Sequence, residues 1–323
     1  MWAHVLVEPS KFAPIEVPAF TEADVAENWV LLRAVVGGVC GSDLPYFRGR
    51  AHKDTRDSKG WASGVPGLPL HEVVGEVLFS RHPAHQIGDM VVGWASKFDA
   101  ITEFVLADGE SLLKYNPAFS AVEAITIQPL ACVIGAVERL NIKPGDRAAV
   151  VGQGPIGLLF SHVLSNAGAV VTGVDRIDRT AAADIFGVTE TVTTMSDRWA
   201  NAIDIPERFP IVVEAIGHQI ATLTDVMTAA ELGGQVFYFG VPDDPIYPIS
   251  MQMMFRKHLA LISGATIDRR RLLALANDYL LEHEGLRTKY VTNVYPVADV
   301  QQAFDAAVLP APGQYKIALD MAG

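Results

Sequence analysis

The spacing of hydrophobic residues divides the chain into two parts. In roughly the first 120 residues, short apolar runs rich in β-branched residues, such as Val30–Val36, Val73–Phe79 and Met90–Val92, alternate with turns that contain glycine or proline. Runs of this length predict β-strands, so we expect this part to be rich in β-sheet with little helix. The polar segment Arg48–Gly67 is predicted to be a loop.

A different pattern begins after Pro117. Ala121–Leu140 has the composition of a long helix interrupted at Pro129, and beyond Arg147 apolar runs alternate with helical segments. This alternation predicts repeated βαβ units and therefore a parallel, doubly wound sheet. The predicted strands are Ala148–Val151, Val170–Val174, Ile211–Val213, Gln235–Phe239 and Tyr315–Leu319, and the predicted helices are Gly157–Ala167, Thr180–Phe186, Ile220–Glu231 and Arg269–Glu282.

Composition limits the classes of partner. Half of the 323 residues are hydrophobic, which is enough for a sizeable core and excludes a disordered chain. The net charge of −12 has no block of like charge, and such a surface repels phosphate backbones, so neither nucleic acid nor an anionic membrane is expected as a partner. The chain begins without a signal-peptide pattern and has two cysteines, so a cytoplasmic protein without a disulfide framework is expected.

The most informative motif is the G-x-G-x-x-G turn Gly152–Gly157, which follows a predicted strand and opens a predicted helix. In such a turn one glycine permits the tight bend, one lets the backbone approach a pyrophosphate, and one lets helix and strand pack closely. The helix N-terminus offers unpaired N–H groups and the positive end of its dipole to the phosphates. The motif therefore predicts dinucleotide binding.

The residue that follows the next strand bears on the choice of cofactor. Asp175 stands 18 residues after Gly157, where a carboxylate accepts hydrogen bonds from the adenosine ribose and repels a 2′-phosphate, which favours NAD over NADP. Arg176 and Arg179 leave NADP as an alternative, because an arginine there can receive that phosphate. The predicted cofactor-binding residues are Gly152, Gly154, Pro155, Ile156, Gly157, Asp175 and Arg176.

Three residues are candidates for a dispersed metal site. Cys40, His71 and Cys132 are 31 and 61 residues apart, unlike the short cysteine spacings of structural zinc sites. Each has an ordinary alternative, because an unbridged cysteine is usually a small buried hydrophobe and a core histidine is often only hydrogen-bonded. The spacing of these three residues alone does not decide between a metal site and ordinary buried side chains.

Several segments together resemble one family over nearly the whole chain. They are GVCGSD at 38–43, GLPLHEVVGEV at 67–77, GDMVVG at 88–93, QPLAC at 128–132, GQGPIG at 152–157, GGQVFYFGV at 233–241 and PVADVQQAFDAA at 296–307. The chain resembles the zinc-containing medium-chain alcohol and polyol dehydrogenases. The resemblance implies an α/β protein with a GroES-like, β-rich catalytic domain over 1–134 and 268–323 and a Rossmann domain over 135–267.

The resemblance also implies a catalytic site. Cys40, His71 and Cys132 match the family's three protein ligands of zinc, which leave the ion with one open position for an alcohol oxygen. Zinc lowers the pKa of the alcohol, and hydride then passes to the nicotinamide. Glu72 matches the carboxylate beside the metal, Asp43 the acid that orients the histidine, and Ser42 the first member of the proton relay.

The chain departs from the family at three places. Pro45 stands where many members carry a relay histidine, so proton exit is expected to use Tyr46, His52, a nicotinamide ribose or water. Gly93–Glu103 is too short for the structural zinc lobe, so one zinc per chain is expected. Gln128 stands where polyol dehydrogenases often have glutamate, which weakens the polyol assignment relative to a plain alcohol dehydrogenase.

The expected function is therefore zinc-dependent hydride transfer between NAD and a secondary alcohol, polyol, sugar or cyclitol. Two alternatives remain, a zinc-free NAD(P)H-dependent quinone or enoyl reductase of the same fold and a non-catalytic dinucleotide-binding protein. By the same resemblance we expect a homodimer or homotetramer, with Gln235–Phe239 and its continuation toward Ile249 at the interface.

Overall fold

Two structural units divide the chain. The computed structural model describes residues 1–49, 64–242, 244 and 246–322, so most of the predicted Arg48–Gly67 loop, with His52, lies outside the described residues. The first unit comprises residues 1–131, 267–310 and 314–323, and the second comprises residues 132–266 and 311–313. The predicted mixed α/β class is confirmed.

The first unit is built mainly from strands. They are β1 (Trp2–Glu8), β2 (Lys11–Glu16), β3 (Trp29–Val39), β4 (Glu72–Ser80), β5 (Met90–Trp94), β6 (Phe104–Asp108), β7 (Leu112–Lys114), β14 (Val291–Pro296) and β15 (Lys316–Asp320). Its helices are α1 (Leu44–Phe47), α2 (Ala121–Ala124), α9 (Arg269–Glu282), α10 (Glu284–Lys289) and α11 (Val300–Val308), and α3 (Ile127–Val137) contains the boundary with the second unit.

One seven-stranded sheet organises this unit, beside the antiparallel hairpin β1–β2. Its order is β14-β15-β3-β4-β5-β7, with β6 also paired to β3. Residues from near the C-terminus complete this sheet, because β15 pairs antiparallel with β3. The core includes Phe304 of α11, whose ring centroid lies 5.0 Å from that of Phe12 and 5.1 Å from that of Phe47. Burial of these rings holds α11 to the hairpin strand β2 and to α1.

The second unit alternates strand and helix as predicted. Its strands are β8 (Arg147–Val151), β9 (Val170–Asp175), β10 (Val188–Thr193), β11 (Phe209–Glu214), β12 (Ala230–Tyr238) and β13 (Ala260–Ser263). Its helices are α4 (Pro155–Asn166), α5 (Ala183–Phe186), α6 (Ser196–Ala202), α7 (Ile220–Ala229) and α8 (Met251–Lys257).

All strand pairs of this second sheet are parallel, in the order β10-β9-β8-β11-β12-β13. Counted from β8, this is the order 3-2-1-4-5-6 of a doubly wound dinucleotide-binding sheet. In such a sheet the order of the strands reverses at a switch point between the first and the fourth strand. Ligands of such sheets bind at the carboxyl ends of the strands beside this switch point. The switch point here lies between β8 and β11.

One detail of the predicted elements is wrong. Pro129 does not interrupt the helix, since it is the third residue of α3, where a missing N–H breaks no helical hydrogen bond; the break falls at Ile125–Thr126 instead. The predicted subunit interface, Gln235–Phe239 with its continuation toward Ile249, stays a prediction, but Gln235–Tyr238 lies in β12, which is paired with β11 on one side and β13 on the other. A strand paired on both sides has no backbone groups left for a second subunit, so among the described strands the edges of this sheet are β10 and β13.

None of the helices in the described part of the chain combines the length and the apolar character needed to cross a bilayer.

Candidate active site

Two adjacent strands of the first unit bring three metal-ligating residue types together. Cys40 follows β3 directly, His71 precedes β4, and Glu72 is the first residue of β4, paired in register with Gly38. One ligand atom from each of the three side chains lies within 4.8 Å of the others. Cys40, His71 and Glu72, far apart in sequence, are therefore close enough to share one ion.

A buried carboxylate orients the histidine. Asp43 Oδ1 lies 2.7 Å from His71 Nδ1, and Asp43 Oδ2 accepts a hydrogen bond of 2.9 Å from Cys40 N. Because the carboxylate is an acceptor, we assign the imidazole proton to Nδ1, which makes Nε2 the ring nitrogen available to a metal ion. Burial lowers the pKa of His71, but the charge of Asp43 and hydrogen bonds to Asp43 and Cys40 outweigh burial and raise that pKa well above its usual value.

A lysine that the sequence did not single out pairs with Glu72. Lys316 Nζ, on β15, lies 2.7 Å from Glu72 Oε1 and 2.6 Å from Oε2, and both side chains are excluded from solvent. Burial lowers the pKa of Lys316, and the nearby charges of Glu72, Cys40 and Asp43 outweigh burial and raise it. The one signal in the sequence is a single cation in the otherwise apolar run Lys316–Leu319.

The donor set fits zinc. A thiol sulfur and an imidazole nitrogen are the donors that zinc prefers, and a carboxylate oxygen can accompany them. Glu72 Oε2 makes no aligned hydrogen bond within the described part of the chain, although Lys316 lies beside it. Gly38 leaves room for this carboxylate, because a Cβ there would collide with Glu72 Oε2.

The other predicted residues of the catalytic site lie in three elements of the fold, the turn after Cys40, α1 and α3. Ser42 is half-buried in the single 3₁₀ turn Gly41–Asp43 that follows Cys40. Pro45 is buried in α1, and the ring of Phe98, which the sequence did not single out, lies 4.8 Å from the ring of His71. Cys132 is half-buried in α3, as the first residue of the second unit, and stays a predicted ligand.

The glycine turn of the second unit has the geometry that dinucleotide binding requires. Gly152 has φ of +94°, which favours glycine, and Gly157 approaches so closely that a Cβ would collide with the Gly152 carbonyl oxygen. Gly154 is the N-cap of α4, and nothing lies within 4 Å of the position of a Cβ there. Two glycines thus shape the turn, and the third leaves open space at the helix N-terminus, where Pro155 and Ile156 follow.

Asp175 is tied to the same turn. Its Oδ2 accepts a hydrogen bond of 2.6 Å from Gln153 N, and its Oδ1 accepts one of 2.8 Å from Ile177 N. Arg176 is exposed, whereas Arg179 is buried and donates to the carbonyl oxygen of Ala311. A carboxylate therefore stands at the end of β9, and of the two arginines only Arg176 is exposed to a ligand.

A β-rich unit with a Cys-His-carboxylate group, together with a doubly wound unit that carries a phosphate-binding turn, defines a metal- and dinucleotide-dependent oxidoreductase. The family model of the zinc-binding dehydrogenases matches residues 155–277. D-altritol 5-dehydrogenase of Agrobacterium fabrum is 26% identical over 342 residues, which cover 94% of this chain and 95% of the relative. D-arabinitol dehydrogenase 1 of Uromyces fabae is 24% identical over 313 residues, 85% of this chain and 86% of the relative.

A solved structure shows the same fold. Alcohol dehydrogenase TADH of Thermus sp. ATN1 superposes with a TM-score of 0.81, covering 99% of this chain and 100% of that one at 22% identity. The family model and these two relatives support the resemblance to the zinc-containing medium-chain dehydrogenase/reductase superfamily.

The glycine turn generates a prediction that separates binding from folding. Gly154→Ala places a methyl group in open space, so the thermal midpoint should stay unchanged while the Kd for NAD rises about tenfold, because the methyl group blocks the approach of the pyrophosphate. Gly157→Ala serves as the contrast, since its methyl group collides with the Gly152 carbonyl and should destabilise the fold. Calorimetric titration and thermal unfolding measure the two effects. Unchanged NAD affinity in Gly154→Ala would show that the turn does not hold the dinucleotide.

Proposed function

We propose that the protein is a zinc-dependent, NAD-linked dehydrogenase that oxidises a secondary alcohol of the polyol, sugar or cyclitol type and reduces the corresponding ketone. The observation that carries the proposal is the convergence of Cys40, His71 and Glu72, with Asp43 orienting the histidine. The names of the D-altritol and D-arabinitol dehydrogenases among its relatives support a substrate rich in hydroxyl groups. A zinc-free quinone or enoyl reductase has no use for this donor set.

Each residue has a definable task in this reaction. Zinc, when bound, supplies the Lewis acidity that lowers the pKa of the substrate hydroxyl, and NAD accepts the hydride. Cys40 and His71 would hold the metal, and Asp43, whose carboxylate accepts from Nδ1 of His71, would leave Nε2 free to bind it. Ser42, one turn after β3, is proposed to accept the hydroxyl proton first.

Proton exit beyond Ser42 differs from the family pattern because of Pro45. Tyr46 is half-buried, and burial together with the charge of Asp43 raises the pKa of its phenol. The phenol therefore stays protonated near neutral pH and can pass a proton on only by donating and accepting hydrogen bonds. We propose the nicotinamide ribose or water as the next acceptor.

The third protein ligand is proposed to be Cys132, on the family resemblance, with Glu72 as the alternative within the first unit. Glu72 is engaged by Lys316, and a carboxylate that binds a metal and a lysine at once gives up part of its charge to each. This competition favours the thiolate of Cys132 as the ligand. One zinc per chain is expected.

Zinc content tests the proposal. Protein purified without chelator should hold about one zinc per chain by elemental analysis, and Cys40→Ala should lose it together with alcohol oxidation while NAD affinity stays within about twofold. Ser42→Ala is the matched control, expected to keep zinc and lose turnover. Cys132→Ala separates the two candidates for the third ligand.

The outcomes of this measurement differ in meaning. A wild-type protein that takes up no zinc even from excess metal would overturn the metal assignment and favour the zinc-free reductase. Retention of zinc in Cys132→Ala with loss in Glu72→Gln would make Glu72 the third ligand.

NAD is proposed as the cofactor rather than NADP. Asp175 ends β9 with its carboxylate half-buried at the glycine turn, where it repels a 2′-phosphate. Asp175→Ala should lower the affinity for NAD about tenfold and should raise the affinity for NADP relative to the affinity for NAD. Titration with both cofactors measures the two affinities. Asp178→Ala removes a nearby exposed acid and should change neither. Tighter binding of NADP than NAD by the wild-type protein would contradict this assignment.

We propose that the protein acts as a homodimer or homotetramer in the cytoplasm. The edge strand β13 has unpaired backbone groups, and the segment before it exposes Ile246, Met251 and Phe255, of which Phe255 is 81% exposed. Sedimentation should show at least twice the chain mass, and Phe255→Lys should shift it toward the monomer. Ile205→Lys, also at an exposed apolar position, should not. A monomeric wild-type protein would refute the assembly.

A further inference from the structure

A fully buried acid stands at the switch point of the parallel sheet and has no role in the reaction as described so far. Glu214 is the last residue of β11, pairs in register with Val151 of β8, and has no solvent exposure. Val151 directly precedes the glycine turn. Because a buried carboxylate is costly unless it is hydrogen-bonded, the partners of Glu214 show what it holds in place.

Those partners lie in the loop that follows β11. Glu214 Oε1 accepts hydrogen bonds from Ile216 N at 3.2 Å, Gly217 N at 3.1 Å and Thr222 Oγ1 at 2.9 Å, and Oε2 accepts from Gly217 N at 3.2 Å. The backbone of Gly240, after β12, contributes another hydrogen bond. One side chain thus fixes the loop Ala215–Gly217, the start of α7 and the beginning of the next loop.

The loop Ala215–Gly217 packs directly on the phosphate-binding turn. Ala215 N donates to the Val151 carbonyl oxygen at 2.8 Å. A Cβ on Gly152 would stand only 2.7 Å from Ile216 Cγ1 and 3.0 Å from Ile216 N. The first glycine of the turn therefore lies against this loop with no room for a side chain between them, and the loop continues the wall of the dinucleotide crevice beyond the turn.

The loop after β12 is tied to the same carboxylate. A Cβ on Gly217 would lie 2.9 Å from Gly240 Cα, and His218 N donates to the Val241 carbonyl oxygen at 3.3 Å. Ile216 and Val241, the apolar residues of the two loops, are 37% and 41% exposed. Both stand at the carboxyl ends of β11 and β12, the edge at which ligands of such sheets bind.

We propose that Glu214 is a positioning residue that holds the loops after β11 and β12 in the shape that contacts the nicotinamide ring of the dinucleotide. A dinucleotide that straddles the switch point places its adenosine half over β9, where Asp175 stands, and its other half over β11 and β12. Glu214 therefore affects the binding of the nicotinamide ring and not that of the adenosine, the phosphates or either ribose. The inference rests on the proposed NAD-linked function.

The test compares two ligands that differ in the nicotinamide. NAD and ADP-ribose share the adenosine and both phosphates, but ADP-ribose lacks the ring. Glu214→Gln keeps the size of the side chain and turns one acceptor into an N–H donor that faces backbone N–H groups, so the loops should shift. By calorimetric titration of the purified protein, the Kd for NAD should rise about tenfold while the Kd for ADP-ribose stays within about twofold.

Two further variants keep the test decisive. Thr222→Val removes one donor to Glu214 Oε1 and should raise the ratio of the Kd for NAD to the Kd for ADP-ribose by about threefold. This variant tests the proposal even where Glu214→Gln fails to fold. Ser196→Ala removes the 2.7 Å hydrogen bond to Asp225 elsewhere in the second unit and should leave the ratio unchanged.

A purely structural role for Glu214 predicts a different result. Equal weakening of NAD and ADP-ribose in Glu214→Gln and Thr222→Val, or no weakening of either, would overturn the positioning role while leaving the proposed function intact. A wild-type protein that binds neither ligand would overturn the proposed function itself.

Discussion

A lysine and a glutamate that are both excluded from water support the arrangement of the metal-binding residues. Lys316 on β15 meets Glu72 on β4 across β3, and this contact is possible because Gly38 of β3 has no side chain in the way. Breaking such a buried pair by removing one partner leaves an uncompensated charge and costs about 3–5 kcal/mol. The strand order of the first unit and the position of Glu72 beside Cys40 and His71 are therefore energetically coupled.

In the second unit, carboxylates withdrawn from solvent also need partners, but here the partners are backbone N–H groups. Asp175 and Glu214 are carboxylates at the ends of parallel strands, and both are satisfied chiefly by backbone N–H groups of neighbouring loops. Each fixes one stretch of the crevice wall, the glycine turn in one case and the loop after β11 in the other. Polar side chains thus position the loops, while the apolar strands beneath them supply the stability.

The elements that the sequence predicted correctly are those with a local signal. The βαβ alternation from Arg147 onward and the glycine turn were recognisable because apolar runs and Gly152–Gly157 follow simple spacing rules. Strand β10, Val188–Thr193, was missed because it alternates valine with threonine and glutamate at the edge of the sheet and never forms an apolar run. Pro129 was misread because its effect depends on its position within the first turn of α3.

The candidate site shows the limit of sequence reasoning more sharply. Resemblance to a family pointed to Cys40, His71 and Glu72, and the fold brings them together, but nothing local predicted that Lys316, 244 positions from Glu72, neutralises that carboxylate. Glu214 was not singled out from the sequence for the same reason. The sequence by itself determined those strands and helices that have a local signal and the chemical types of the candidate site residues, since these follow from local composition, spacing and motif. Only the tertiary structure decided which buried charge meets which partner, because burial and pairing depend on strand order between distant segments.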